Sequence, residues 1–113
     1  MAKIDFEKSM YVDVCGVPFL YREYAPNSRA DNSMGRSDSA KAVINICSDM
    51  SKEMKESVLI HEWLHSVLDC SGLGELSNNE NLVSTLQNEL YRAGFRIKAM
   101  ARTPLPKELI EAE

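Results

Sequence analysis

The sequence predicts a single small α+β domain, on three observations. The 113-residue chain has room for one domain and too little for two. Its first half holds short β-branched and aromatic runs separated by turn residues. Its second half holds two stretches with helical periodicity, divided by glycines.

The elements follow in order. Tyr11-Val12-Asp13-Val14-Cys15 alternates weakly, and Phe19-Leu20-Tyr21-Arg22-Glu23-Tyr24 is rich in aromatics. With Gly16-Val17-Pro18 between them as a turn, the pair reads as a hairpin. Ala25 to Lys41 has loop composition, with room for one short strand near Met34. Ala42-Val43-Ile44-Asn45-Ile46-Cys47 is a strong strand candidate because of its β-branched residues.

Helix follows. Ser48, Asp49 and Ser51 can each cap an N-terminus, and no Gly or Pro interrupts Lys52 to Leu68. Leu59, Trp63 and Val67 recur at i, i+4 and i+8, as one buried face requires. Gly72 and Gly74 should end this helix. A second helix is expected from about Asn78 to Ala93, with Leu82, Leu86 and Leu90 on one face, Val83 and Ala93 close beside it, and Gly94 as C-cap. Arg92, Arg96, Lys98 and Arg102 gather near its end as a solvated face that suits the helix dipole. Thr103-Pro104-Leu105-Pro106 stops regular structure, so the domain spans 1–113 with 103–113 as a terminal tail or short helix.

Composition narrows the functional classes. A formal charge of −4 and a pI near 5.2 argue against nucleic-acid binding. No apolar run approaches the ~20 residues of a membrane helix, and the acidic start is unlike a signal peptide, so a cytoplasmic location is expected. Cys15, Cys47 and Cys70 are odd in number and widely spaced, which fits reduced thiols.

The chemistry lies in His61-Glu62-Trp63-Leu64-His65. Residues four apart on a helix stand one turn above each other, so two imidazoles can bind one zinc ion from the same side. Glu62 sits between them in sequence and can reach a water on that metal as general base. The chain has only two histidines, and both fall in this motif. Chance would place them so, with Glu second, on the order of once in five hundred arrangements.

A catalytic zinc usually takes a third protein ligand. Asp69, Glu75, Glu80 and Glu89 compete for that role. Asp69 continues the histidine stripe but lies about 12 Å along the axis from His61, so three consecutive turns would have to converge on one ion. Glu75 falls in the Gly-rich loop, and Glu89 lies more than two turns into the second helix. Glu80 opens that helix, fifteen residues after His65, which is enough chain to finish one helix and return antiparallel. Glu80 is therefore the chosen third ligand. Tyr21, Tyr24 and Tyr91 are oxyanion-donor candidates by residue type alone, each by default a core or rim aromatic. Ser84, one turn after Glu80, is a candidate to orient a ligand and by default an exposed helix serine.

With His61-Glu62-x-x-His65 and a glutamate on the next helix, the chain resembles gluzincin metallopeptidases, more narrowly the small ImmA/IrrE-type and phage-encoded minimal enzymes. The resembling stretch covers about half the chain, from Met34-Gly35 through Val43–Ile46, Val58–His65 and Glu80–Val83 to Leu90-Tyr91. The resemblance implies a small antiparallel sheet packed on the motif helix, a zincin-like arrangement with zinc on His61, His65 and Glu80. It also implies hydrolysis of a peptide or protein substrate, and related members cleave transcriptional repressors. The rival expectation is a non-catalytic scaffold that binds a partner, with zinc serving stability.

Overall fold

The computed structural model describes residues 6–25 and 34–101. The expected tail or helix at 103–113 lies outside the described residues, as does most of the loop after Tyr24. Strand β1 (Phe6–Val14) and strand β2 (Val17–Tyr24) form the expected hairpin. The turn is tighter than the sequence suggests. Only Cys15 and Gly16 form it, with φ of 52° and 85°, the double positive φ of a two-residue hairpin loop. Val17 and Pro18 belong to β2. Pro18 is tolerated there because the pairing of β2 with its other neighbour begins only at Leu20.

Strand β3 (Gly35–Asp38) pairs antiparallel with β4 (Val43–Cys47), and β4 pairs parallel with β2. The sheet order is β1-β2-β4-β3. This corrects the expected antiparallel sheet: it is mixed. Burial gives the reason. Val43-Ile44-Asn45-Ile46-Cys47 is the more apolar strand, and Ile44 and Ile46 are fully buried in a central position. Gly35-Arg36-Ser37-Asp38 is polar and takes the edge. β3 runs opposite to β2, so its antiparallel partner β4 returns in the same direction as β2.

Helix α1 (Lys52–Cys70) crosses one face of the sheet. Of the three N-cap candidates, Ser51 serves: its hydroxyl accepts from the Met54 N–H at 3.1 Å. Val58 and Leu59 pack into Val12, Val14, Phe19, Tyr21, Ile44 and Ile46. Trp63 touches both this core and a second one, and its Nε1 donates to the Asp13 carbonyl at 2.9 Å. The helix ends before Gly72, where the Leu73 N–H reaches back to the Leu68 carbonyl at 2.8 Å. Gly74 does not break structure but opens a short helix, α2 (Gly74–Ser77), that the sequence did not suggest.

Helix α3 (Glu80–Arg92) is capped by Asn79, whose side chain accepts from the Leu82 N–H at 3.1 Å. It packs on α1 through the second core of Ile60, Leu64 and Val83. Its buried face is rotated from the expected leucine stripe toward Val83. Val83 is fully buried and Leu86 is exposed, because the helix is turned so that Glu80, Val83, Gln87 and Leu90 follow one stripe. Gly94, at φ 95°, ends α3 as expected, and the Phe95 N–H caps the Leu90 carbonyl at 2.9 Å. The chain then returns to the sheet, where Met100 and Tyr11 exchange two backbone hydrogen bonds of 2.7 Å on the outer side of β1. Among the described residues no helix is long and apolar enough to cross a membrane.

Candidate metal centre

Helix α1 carries His61, Glu62 and His65 on the flank between its sheet-facing and α3-facing sides. One helical turn separates the histidines, and their ring centroids lie 4.8 Å apart. Their Nε2 atoms approach to 3.2 Å. The third member comes from α3. Asn79 starts that helix one residue earlier, so Glu80 is its first residue, a position that favours a carboxylate. Glu80 Oε1 stands 2.8 Å from His65 Nε2, and Oε2 stands 3.2 Å from His61 Nε2.

These donors suit one small cation. Ligands about 2.0–2.1 Å from a tetrahedral zinc stand about 3.3 Å from each other. The three separations here, 3.2, 3.2 and 2.8 Å, fall close to that spacing. Two imidazole nitrogens and one carboxylate are also a donor set that zinc accepts. His61, His65 and Glu80 could thus hold a metal ion, and among the described residues they are the group of this kind. The histidine side chains are mostly covered while that of Glu80 is 65% exposed, so the group opens to solvent on the α3 side.

The competing acids go elsewhere. Asp69 Oδ2 accepts from the Ser39 hydroxyl at 3.2 Å, and Glu89 pairs with Arg92 at 3.4 Å within α3. Glu75 is exposed on α2.

Glu62 is not part of the three-donor group, although it is adjacent in sequence and buried. Burial pushes its carboxyl above the ordinary carboxylate range; His61, His65 and a hydrogen bond from Ser37 act against that rise, and Glu80 adds to it. Edge strand β3 presses on this side chain. A Cβ added at Gly35 would lie 2.9 Å from Ile46 Cδ1, 3.0 Å from Val58 Cγ1 and 3.2 Å from Glu62 Cγ. Only glycine lets β3 come this close.

A cleft of about 260 Å³ opens beside Glu62, between Met34 and Gly35 on one side and Ser84 and Gln87 on the other, with Val58 and His61 in its wall. Ser84, expected to orient a ligand, lines this cleft. Tyr21 and Tyr91 have other partners: the Tyr21 hydroxyl donates to Glu23 Oε2 at 2.8 Å, and the Tyr91 ring carries the Arg96 guanidinium at 3.7 Å. Tyr24 is buried.

Comparison with protein-family models, with curated proteins and with solved structures gives no match. The site therefore has to be read from its own residues.

Four of those residues escaped sequence reasoning. Gln87 Oε1 stands 2.8 Å from His61 Nδ1, and Ser77 Oγ stands 3.1 Å from His65 Nδ1. Ser37 and Gly35 reach Glu62 from β3. For Gln87 a signal existed: it lies seven residues, two turns, beyond Glu80 and so shares its face. Ser77 on α2, and Ser37 and Gly35 on β3, left no such periodic trace, because they come from elements other than the two helices that carry the donors.

Proposed function

We propose that this chain is a compact, zincin-like, zinc-dependent peptidase in which His61, His65 and Glu80 hold the metal and Glu62 is the general base. The observation that carries this reading is the convergence of Glu80 from α3 on both Nε2 atoms, with a buried carboxylate, Glu62, beside the group and a cleft next to it.

When bound, zinc would polarise a substrate carbonyl and make water a stronger nucleophile near neutral pH. The residues of the chain do the rest. Glu62 accepts a proton on a carboxylate oxygen as water adds to the scissile carbonyl carbon, then gives that proton to the leaving amine nitrogen. One water is consumed, one carboxylate and one amine are produced, and Glu62 is restored. Burial suits this role, since it keeps the carboxyl ready to hold a proton between the two steps. Ser37 steadies the carboxylate, and Gly35 keeps its stem against the strand.

The shape of the site favours an extended substrate. β3 is an edge strand with β4 on one side, and among the described residues no strand covers its other side. A peptide laid along that edge would pair its backbone with residues 35–38 and pass over Glu62.

The test combines metal and activity. Protein purified without chelator and then supplied with zinc should hold one zinc per chain, and His61→Ala should hold none. Glu62→Gln should keep the fold and the zinc but cleave a responsive library peptide about 10²-fold more slowly or worse. Absence of stoichiometric metal in the parent defeats the reading. A parent that binds zinc and a partner but cleaves nothing makes the chain a binding module on the same scaffold.

A further inference from the structure

The side chain of Gln87 makes three polar contacts across the α1–α3 interface. Its Nε2 lies 3.0 Å from the Ser57 carbonyl oxygen and 2.9 Å from the Ser57 hydroxyl, and its Oε1 lies 2.8 Å from His61 Nδ1. The two ends of the carboxamide are not interchangeable here. A backbone carbonyl has no proton, so only the NH₂ end can face Ser57. The oxygen is thereby turned toward His61. An amide oxygen has no proton either, so His61 Nδ1 must be the donor. In a neutral imidazole the other nitrogen, Nε2, then carries the lone pair.

Ser57 is a fixed anchor for this arrangement. It sits one turn before His61 on α1, and the helical ladder uses only one lone pair of its carbonyl. The second histidine has a looser brace. The Ser77 hydroxyl lies 3.1 Å from His65 Nδ1 and 3.3 Å from the His65 carbonyl. A hydroxyl can rotate to donate to either, so it accepts both tautomers of His65.

We infer that Gln87 is a positioning residue that holds His61 as the Nδ1–H tautomer, so that Nε2 is a ready donor, while His65 is left free to change tautomer. The inference deepens the zinc reading and rests on it for the purpose of the lock, though not for the lock itself. α3 thus contributes twice to the site from one face: Glu80 as ligand and, two turns on, Gln87 as the group that prepares the first histidine.

The experiment reads the imidazole nitrogens by long-range proton–nitrogen correlation NMR on metal-free protein, at a pH above the imidazole range, and measures zinc affinity by competition with a chelator. In the parent, His61 should be Nδ1–H alone. Gln87→Met, similar in length but without a comparable acceptor, should give a mixture at His61 and lower zinc affinity by about 10- to 100-fold. Gln87→Glu loses the NH₂ that faces the Ser57 carbonyl but keeps an acceptor for His61 Nδ1, with the Ser57 hydroxyl free to rotate and donate to the new carboxylate, so it should keep the His61 tautomer. An Nε2–H signal for His61 in the parent overturns the inference, whatever becomes of the variants. So does a Gln87→Met protein whose tautomer and zinc affinity match the parent. Should Gln87→Met fail to fold, the parent spectrum and Gln87→Glu still decide. A parent with a locked His61 that binds no zinc sinks the zinc reading and leaves the lock standing.

Discussion

Glu80 Oε1 lies 2.8 Å from His65 Nε2, although fifteen residues and a complete change of helix separate the two in the chain. The short α2 and the Asn79 cap bring them together, since they set where α3 begins and so where its first side chain points. Glu80→Gln exchanges a charged oxygen donor for an amide and should weaken zinc binding about 100-fold or more, at least the upper end of what outer partners command. Glu75→Gln and Glu89→Gln should bind like the parent. Chelator competition gives the three affinities side by side, and a Glu80 variant equal to the parent removes it from the ligand set.

Metal should also stabilise the fold. The three donors join α1 to the start of α3, so a bound ion favours the packed state over the unfolded chain. Zinc at a hundred times its dissociation constant would add about 2.7 kcal/mol. For a domain near this size that amounts to a rise in melting temperature of about 10 °C or more. Calorimetry with and without zinc measures it, and His61→Ala should show no rise. An unchanged parent melting temperature at saturating zinc contradicts the prediction.

Gly35→Ala should disturb both packing and site. The new methyl would meet Ile46, Val58 and Glu62 at 2.9 to 3.2 Å, so β3 or those side chains must move. Overpacking of this kind costs about 1–3 kcal/mol. Urea denaturation should show a lower midpoint, and any peptidase activity should fall with zinc still bound, because the displaced group is Glu62 and not a ligand. A variant as stable and as active as the parent shows that the strand yields without cost.

Tyr21, in the core between the sheet and α1, should make stability depend on pH in the alkaline range. Burial, the hydrogen bond to Glu23 and the charge of that carboxylate push its phenol well above the ordinary tyrosine value near 10. A raised folded pKa means that the native state holds this proton more tightly than the unfolded chain does. The contribution is therefore complete below about pH 10 and is lost as pH rises from there toward the folded value. Stability measured from pH 9 upward should fall, and Tyr21→Phe should flatten that fall. At neutral pH the same variant should lose about 1–3 kcal/mol, since Glu23 Oε2 is left buried without its donor. A variant with the same alkaline slope as the parent excludes Tyr21 as its source.

The local elements and the motif follow from short-range chemistry along the chain. His61 and His65 share a face because a helix repeats every 3.6 residues, and that helix exists because seventeen residues from Lys52 to Leu68 contain no breaker behind a capping serine. The hairpin, the β4 strand and the placement of Glu80 at a helix start were legible for the same kind of reason: each depends on neighbours within a few residues. The rest depends on how the elements pack against one another. Which of β3 and β4 lies beside β2 depends on which strand is apolar enough for the centre of the sheet. The face of α3 that meets α1 is shifted from the leucine stripe toward its neighbour Val83, which fills the contact, while the polar Glu80 and Gln87 on the same stripe as Val83 stand against His65 and His61. Gly35, Ser37, Ser77 and Gln87 reach the histidines and Glu62 from three other elements. Their contacts span 12 to 27 residues of chain, and no periodicity in a sequence records a distance set by how separate elements pack.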